Sequence, residues 1–150
     1  MAKTMKHVAI IHRLLTLLRC AIALLFLYAG AVKLWNTQDF AYDVQSYQLT
    51  SWTVSILIAV YLPWLEVFAA LALLAKRLYL GALIISITLL TVFLAALGSA
   101  WWRGVDITCG CFAPEENKTN YPLHVGADLA LVAAVVLLLM HEIRRERAPQ

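Results

Sequence analysis

Charge is scarce in this chain. Of its 150 residues, 14% are charged and 63% hydrophobic, and the mean hydropathy is +0.78. A soluble domain carries nearer a quarter of its residues charged, so a water-soluble single core is excluded. Four prolines and six glycines exclude a collagen-like or Pro/Gly-rich disordered chain, and three cysteines are too few for a disulfide-dense secreted scaffold. Strand-period alternation is lacking, which excludes a β-barrel. The net charge of +3 comes from basic residues at the ends of apolar runs, not from one patch, so no nucleic-acid partner is expected. What the chain has in abundance is apolar sequence in long runs, the mark of an integral membrane protein.

A bilayer-spanning helix needs about 20 mostly apolar residues. Four stretches qualify, at about 14–34, 52–75, 78–102 and 123–140. The first contains Arg19, the second Glu66, the third no charge, and the fourth His124 and Asp128. Lipid cannot satisfy backbone N–H and C=O groups, so helices are required. The expectation is one all-α membrane domain over residues 1–150, a four-helix bundle. Ala29-Gly30-Ala31 after the first apolar run has the look of a signal-peptide cleavage site; the run is read as a retained span.

Lys and Arg in loops set orientation. Lys3, Lys6, Arg13, Lys76, Arg77, Arg144, Arg145 and Arg147 share one side, expected to be cytoplasmic, with both termini. Trp35, Trp52, Trp101 and Trp102 would form an aromatic belt on the opposite boundary. Within 36–51, Phe40, Val44 and Tyr47 recur at helical spacing among Asp39, Asp43 and Gln45. That predicts a short amphipathic helix in the first outer loop, an interfacial connector or a lid.

The second outer loop, 103–122, carries Cys109-Gly110-Cys111. On an oxidising face disulfides persist. A bond across three residues closes a very small ring, and strained, exposed disulfides tend to be labile and catalytic. Arg103 and His124 would favour the reactive thiolate; Asp106, Glu115 and Glu116 would oppose it. Two other readings stay open. One is a static bridge, though so short a loop removes little chain entropy. The other is copper or zinc held by Cys109, Cys111 and His124. Cys20 lies near the inner end of the first span, about 30 Å of bilayer away, and is expected to be a buried small hydrophobe. Without a second reactive pair, electrons from Cys109 and Cys111 must pass to a partner protein or a membrane quinone.

Charges inside the membrane need a reason. Glu66 follows Pro63-Trp64-Leu65. A helix-kinking proline, an indole and a carboxyl suggest an interhelical pocket, with Glu66, Trp64, Lys33 and Arg103 as candidate ligands for a quinone. A structural hydrogen bond from Glu66 to another span is the alternative. Lys33 is expected to snorkel at the outer boundary, or to pair with Asp128 or with the cysteine loop. His124 and Asp128 stand i, i+4 on one face of the fourth span, where a carboxylate can tune an imidazole for proton transfer; interfacial anchoring and bundle gluing are the alternatives. Asn117-Lys118-Thr119 fits a glycosylation acceptor pattern and is read as chance.

Taken in order, Tyr28-Ala29-Gly30-Ala31-Val32-Lys33-Leu34, Phe40 through Tyr47, Leu62-Pro63-Trp64-Leu65-Glu66, Arg103-Gly104 and Cys109-Gly110-Cys111-Phe112 resemble the methylamine-utilisation protein E (MauE) family of DoxX-like membrane proteins. A glycine often follows that last element in the family; here it is Ala113. The resemblance implies a four-helix bundle in the bacterial inner membrane with its cysteines on the periplasmic side. It also implies a role in maturing a disulfide-containing client such as periplasmic methylamine dehydrogenase, beside a thioredoxin-like partner. It does not reach His124 and Asp128. The combined expectation is a thiol–disulfide redox protein, with Cys109, Cys111, His124 and Asp128 as reacting groups and no resident metal. A non-catalytic assembly subunit and a copper-handling protein are the rivals.

Overall fold

A computed structural model describes residues 2–105 and 121–147. They form five helices: α1 (Ala2–Trp35), α2 (Thr37–Ser46), α3 (Trp52–Ala75), α4 (Tyr79–Arg103) and α5 (Tyr121–Arg147). Four contain apolar stretches long enough to cross a bilayer: Ile10–Trp35, Trp52–Ala75, Tyr79–Arg103 and Pro122–Glu146. The protein is a multi-pass membrane protein with an all-helical fold.

The bundle is apolar outside as well as inside. Leu24, Phe68, Val92 and Leu137 are exposed on four different helices, as lipid contact requires. Between the helices the core uses small residues, among them Ala23, Ala70 and Ala82, beside Phe26, Leu73, Leu83 and Val135. Small side chains let backbones approach where lipid removes the hydrophobic drive for association. The hydroxyls of Ser86, Thr88 and Thr91 each donate to a carbonyl one turn back in α4, at 2.8, 2.9 and 2.7 Å, so these polar groups stay satisfied in an apolar span.

The most extensive packing is between α1 and α3. A Cβ on Gly30 would lie 2.8 Å from Val67 Cγ2 and 3.0 Å from the Pro63 carbonyl oxygen. The two helices run antiparallel, with Ile22 and Ala23 in the same core cluster as Ala70 and Leu73. This register slides α1 along α3. Trp35, five residues past Gly30, stands level with about residue 60, roughly 12 Å short of Trp52. Trp35 and Trp52 therefore stand at different levels along the bundle, because α1 stops before α3 begins.

The gap is filled by α2. The chain breaks at Asn36 (φ −120°, ψ 56°), yet hydrogen bonding continues across the break. Asn36 N–H donates to Val32 at 3.1 Å, Phe40 N–H to Asn36 at 3.0 Å, and the Thr37 hydroxyl to Leu34 at 3.1 Å. A broken helix is tolerated at membrane depth only with its backbone groups satisfied in this way. The helix expected around Phe40 to Tyr47 is thus present between the first two spans. It packs along α3, with Gln45 Oε1 accepting from Ser55 at 2.9 Å and the Tyr42 ring tilted against Trp52, centroids 5.1 Å apart.

Candidate functional site

Lys33 does not snorkel. Its side chain is 6% exposed and its Nζ donates to Glu66 Oε1 at 2.5 Å. Glu66 lies fourteen residues past Trp52 and nine before Ala75, about 21 Å and 14 Å along the helix. The ion pair therefore sits well inside the spanning layer. Gly30 makes it possible, since its missing side chain lets the backbone of α1 reach the face of α3 that carries Glu66. The Phe40 ring of α2 covers the ammonium at 5.1 Å, a cation–π contact in a dry setting. Glu66 Oε2 is buried with no hydrogen-bond partner among the described residues.

A second carboxylate is half-buried on α5. Asp128 on α5 lies within electrostatic reach of His124 and of Lys33. Its Oδ2 is buried and unpartnered among the described residues. His124 and Asp128 share a cleft of about 400 Å³ with Leu25 of α1, Phe93 of α4, and Ala127, Ala130 and Leu131 of α5. Its walls are otherwise apolar, and α5 is the least enclosed of the four long helices. The buried polar groups thus fall in two sets within electrostatic reach of each other, the Lys33–Glu66 pair between α1 and α3 and His124 with Asp128 on α5, and the second set lines the apolar cleft. Such groups can carry protons and can hold the polar end of a membrane-soluble molecule.

Above these groups a rim is tied by Arg103. At the C-terminal end of α4 its guanidinium donates to the carbonyls of Tyr47 at 2.5 Å and Gln48 at 3.5 Å, and to its own helix at Ser99. Gln48 has positive φ (52°), so these bonds hold the turn that leads from α2 into α3. Tyr47, Leu97 and Ala100 form a small cluster with Phe93, Ala96, Val105 and Val125. Val105 and Val125 lie on either side of the cysteine-bearing segment in sequence. Both pack against the cluster that contains Tyr47, at the end of α2.

The family model described as methylamine utilisation protein MauE matches residues 11–141. The chain belongs to the MauE family. A Paracoccus denitrificans protein named methylamine utilization protein MauE is 35% identical over 96 residues, which is 63% of this chain and 52% of that relative. The chain thus spans about half the length of the curated relative it matches. No solved structure matches it.

In this MauE-family chain the expected site residues fall in three places. Lys33 and Glu66 pair with each other, and His124 and Asp128 line the cleft. Arg103 lies at the rim, bonded to Tyr47 and Gln48. Trp64 is turned outward, 51% exposed and 6.2 Å from Phe68. The structure does not gather Glu66, Trp64, Lys33 and Arg103 around one ligand. Glu66 Oε1 and Lys33 pair with each other, Gly30 would place a Cβ 3.3 Å from Glu66 Cβ, and the room lies elsewhere, beside His124 and Asp128. Cys109 and Cys111 lie outside the described residues, as do Asp106, Glu115, Glu116 and Asn117-Lys118-Thr119. Cys20 is a free thiol, partly exposed where burial was expected.

Sequence reasoning missed the Lys33–Glu66 partnership. The signal was present: one cation and one anion, each alone in its half of a span, on consecutive spans. It also missed Gly30 as the contact point and Phe40 as the cover. Phe40 lay on the apolar face of the expected amphipathic helix, but nothing local said that this face meets an ammonium.

Proposed function

We propose that this MauE-family protein performs thiol–disulfide exchange through Cys109 and Cys111 on the extracytoplasmic side of the bacterial inner membrane. It would support disulfide formation in periplasmic proteins, including enzymes of amine metabolism. The observation that supports the reading is that Val105 and Val125, which flank the cysteine-bearing segment in sequence, pack against one cluster, with His124 and Asp128 lining a cleft that shares Phe93 with it. Only four residues of sequence separate Cys109 from Val105, which supports exchange near the rim.

Oxidising a client balances as follows. A client thiolate attacks the Cys109–Cys111 disulfide, giving a mixed disulfide and one free thiolate. A second client thiolate resolves it. The client leaves with a disulfide and the pair is left as two thiols, having gained two electrons and two protons. A thioredoxin-like partner enters by the same exchange. Restoring the disulfide needs a two-electron acceptor, and a membrane quinone supplies that chemistry when bound. The cleft between α1, α4 and α5 suits such a molecule better than the Lys33–Glu66 pair does, because it has apolar walls and free volume. His124 and Asp128 would pass protons between cleft and rim, and Lys33 would hold the nearby negative charge in place.

The test is trapping. With Cys109 replaced by alanine, Cys111 should accumulate in cells as a mixed disulfide with a periplasmic protein, visible as a reductant-sensitive adduct. A Cys109→Ser/Cys111→Ser variant that still supports full client maturation would end the redox reading and leave a non-catalytic assembly subunit. Stoichiometric copper in the purified protein, lost in that same variant, would instead favour metal handling.

A further inference from the structure

The cleft beside His124 and Asp128 opens sideways. Most of its lining comes from α5, with Leu25 of α1 and Phe93 of α4 opposite. α5 packs chiefly on α4 and touches α1 sparingly. Further along the bundle, Val135 and Leu138 of α5 are buried in one cluster with Ile22, Ala23 and Phe26 of α1, which closes the gap between the two helices there. Beside the cleft the gap is bordered by small or outward-facing residues: Ala127 and Ala130 are exposed on α5, and Leu24 is exposed on α1 next to Leu25. Asp128 and Leu131 lie six and nine residues past Pro122, about 9 Å and 14 Å into the fourth span. The hydrocarbon layer is about 30 Å thick, so the opening faces lipid, in the half of the bilayer nearer the rim.

Size and lining say what fits. A volume of about 400 Å³ is near the low end for small-molecule sites. It holds a ring but not a long tail, which must leave through the gap. An acyl chain alone would press hydrocarbon against two polar side chains, at a cost. A ring with two carbonyls suits them in both redox states. As carbonyls its oxygens accept from an imidazole N–H, and as hydroxyls they donate to a carboxylate. We infer that the gap between α1 and α5 is a lateral portal through which a prenylated quinone enters from the bilayer, ring first, to lie against His124 and Asp128. The inference rests on the thiol–disulfide reading for its chemistry: two thiols give up two electrons and two protons, and the two ring carbonyls take them up as hydroxyls. Ala127 and Ala130 set the width of the entrance.

The test is photolabelling in phosphatidylcholine nanodiscs with two farnesyl quinones, one carrying an azide on the ring and one a diazirine on the tail. Labelled peptides are identified by mass spectrometry. Ring label should map to residues 124–131, tail label to α1 and α5, and excess decylubiquinone should compete with both. Ala130→Trp, which fills the entrance, should cut ring labelling by about tenfold. Leu129→Trp, at an exposed position of α5 outside the cleft, should keep it. Ring label elsewhere, tail label confined to α3, or no competition would overturn the portal, and these wild-type results stand even if Ala130→Trp fails to fold. Undiminished labelling of a folded Ala130→Trp chain would overturn it too. A diazirine phospholipid that labels 124–131 regardless of excess quinone would overturn the quinone in favour of bulk lipid. The Cys109→Ser/Cys111→Ser chain should label like the wild type, so a failed portal and a failed cysteine reading give different results.

Discussion

Lys33 and Glu66 each occupy an otherwise apolar setting, and neither would be stable there without the other. Removing one partner of a buried ion pair leaves an uncompensated charge and costs about 3–5 kcal/mol. Lys33→Met should therefore lower unfolding stability in detergent by that order. Lys33→Met/Glu66→Leu should recover much of it, because replacing both partners with apolar groups removes the unpaired charge. Chemical denaturation of the single and double variants checks this, and a double variant no better than the worse single would refute the pair. Gly30→Ala tests the same junction sterically. The added Cβ meets a backbone oxygen at 3.0 Å as well as a side chain, so α1 must move, at a cost of about 1–3 kcal/mol. Val67→Ala in the same chain should return part of that loss.

At the scale of the element, α2 does structural work that a surface connector would not. It completes the path of α1 along α3, covers Lys33 with Phe40, and is held at its far end by Arg103 and by Ser55, which also contacts Thr50 at 2.9 Å. Hydrogen bonds from a charged donor are worth about 1.5–3 kcal/mol each when buried, and less at this partly exposed rim. Arg103→Met should therefore leave the four long helices folded while loosening 45–50, seen as faster amide exchange there with α3 to α5 unchanged. Uniformly faster exchange would mean that the rim and the bundle form one cooperative unit. The amphipathic spacing in 36–51 made this helix readable. Its depth was not, because depth depends on how far α1 slides along α3.

For the molecule as a whole, the exposed basic residues Arg13, Lys76, Arg77, Arg144 and Arg145 lie towards one end of the antiparallel bundle, and the rim with Arg103 and Val105 lies at the other. If the basic end faces the cytoplasm, an impermeant maleimide added to intact cells or spheroplasts should label Cys111 in a Cys109→Ser chain. The same reagent should reach a cysteine placed at Arg77 only after the membrane is permeabilised. The opposite pattern would invert the topology and take the cysteine pair away from the oxidising side, ending the proposed function.

The four spans and the membrane class were determined by composition and by the length of apolar runs, since the bilayer imposes one length and one backbone solution on any spanning segment; the first and fourth run beyond the expected 14–34 and 123–140, to Ile10–Trp35 and Pro122–Glu146. The candidate residues were also legible one by one, as polar groups conspicuous in apolar sequence. Which of them meet was decided only by the tertiary structure. Lys33 faces Glu66 because Gly30 lets α1 and α3 touch at one register, and Trp64 points outward because it falls on the other side of α3. Residues far apart in sequence are brought to one level by helix register, and register is set by close packing between helices, a property no single stretch of sequence contains.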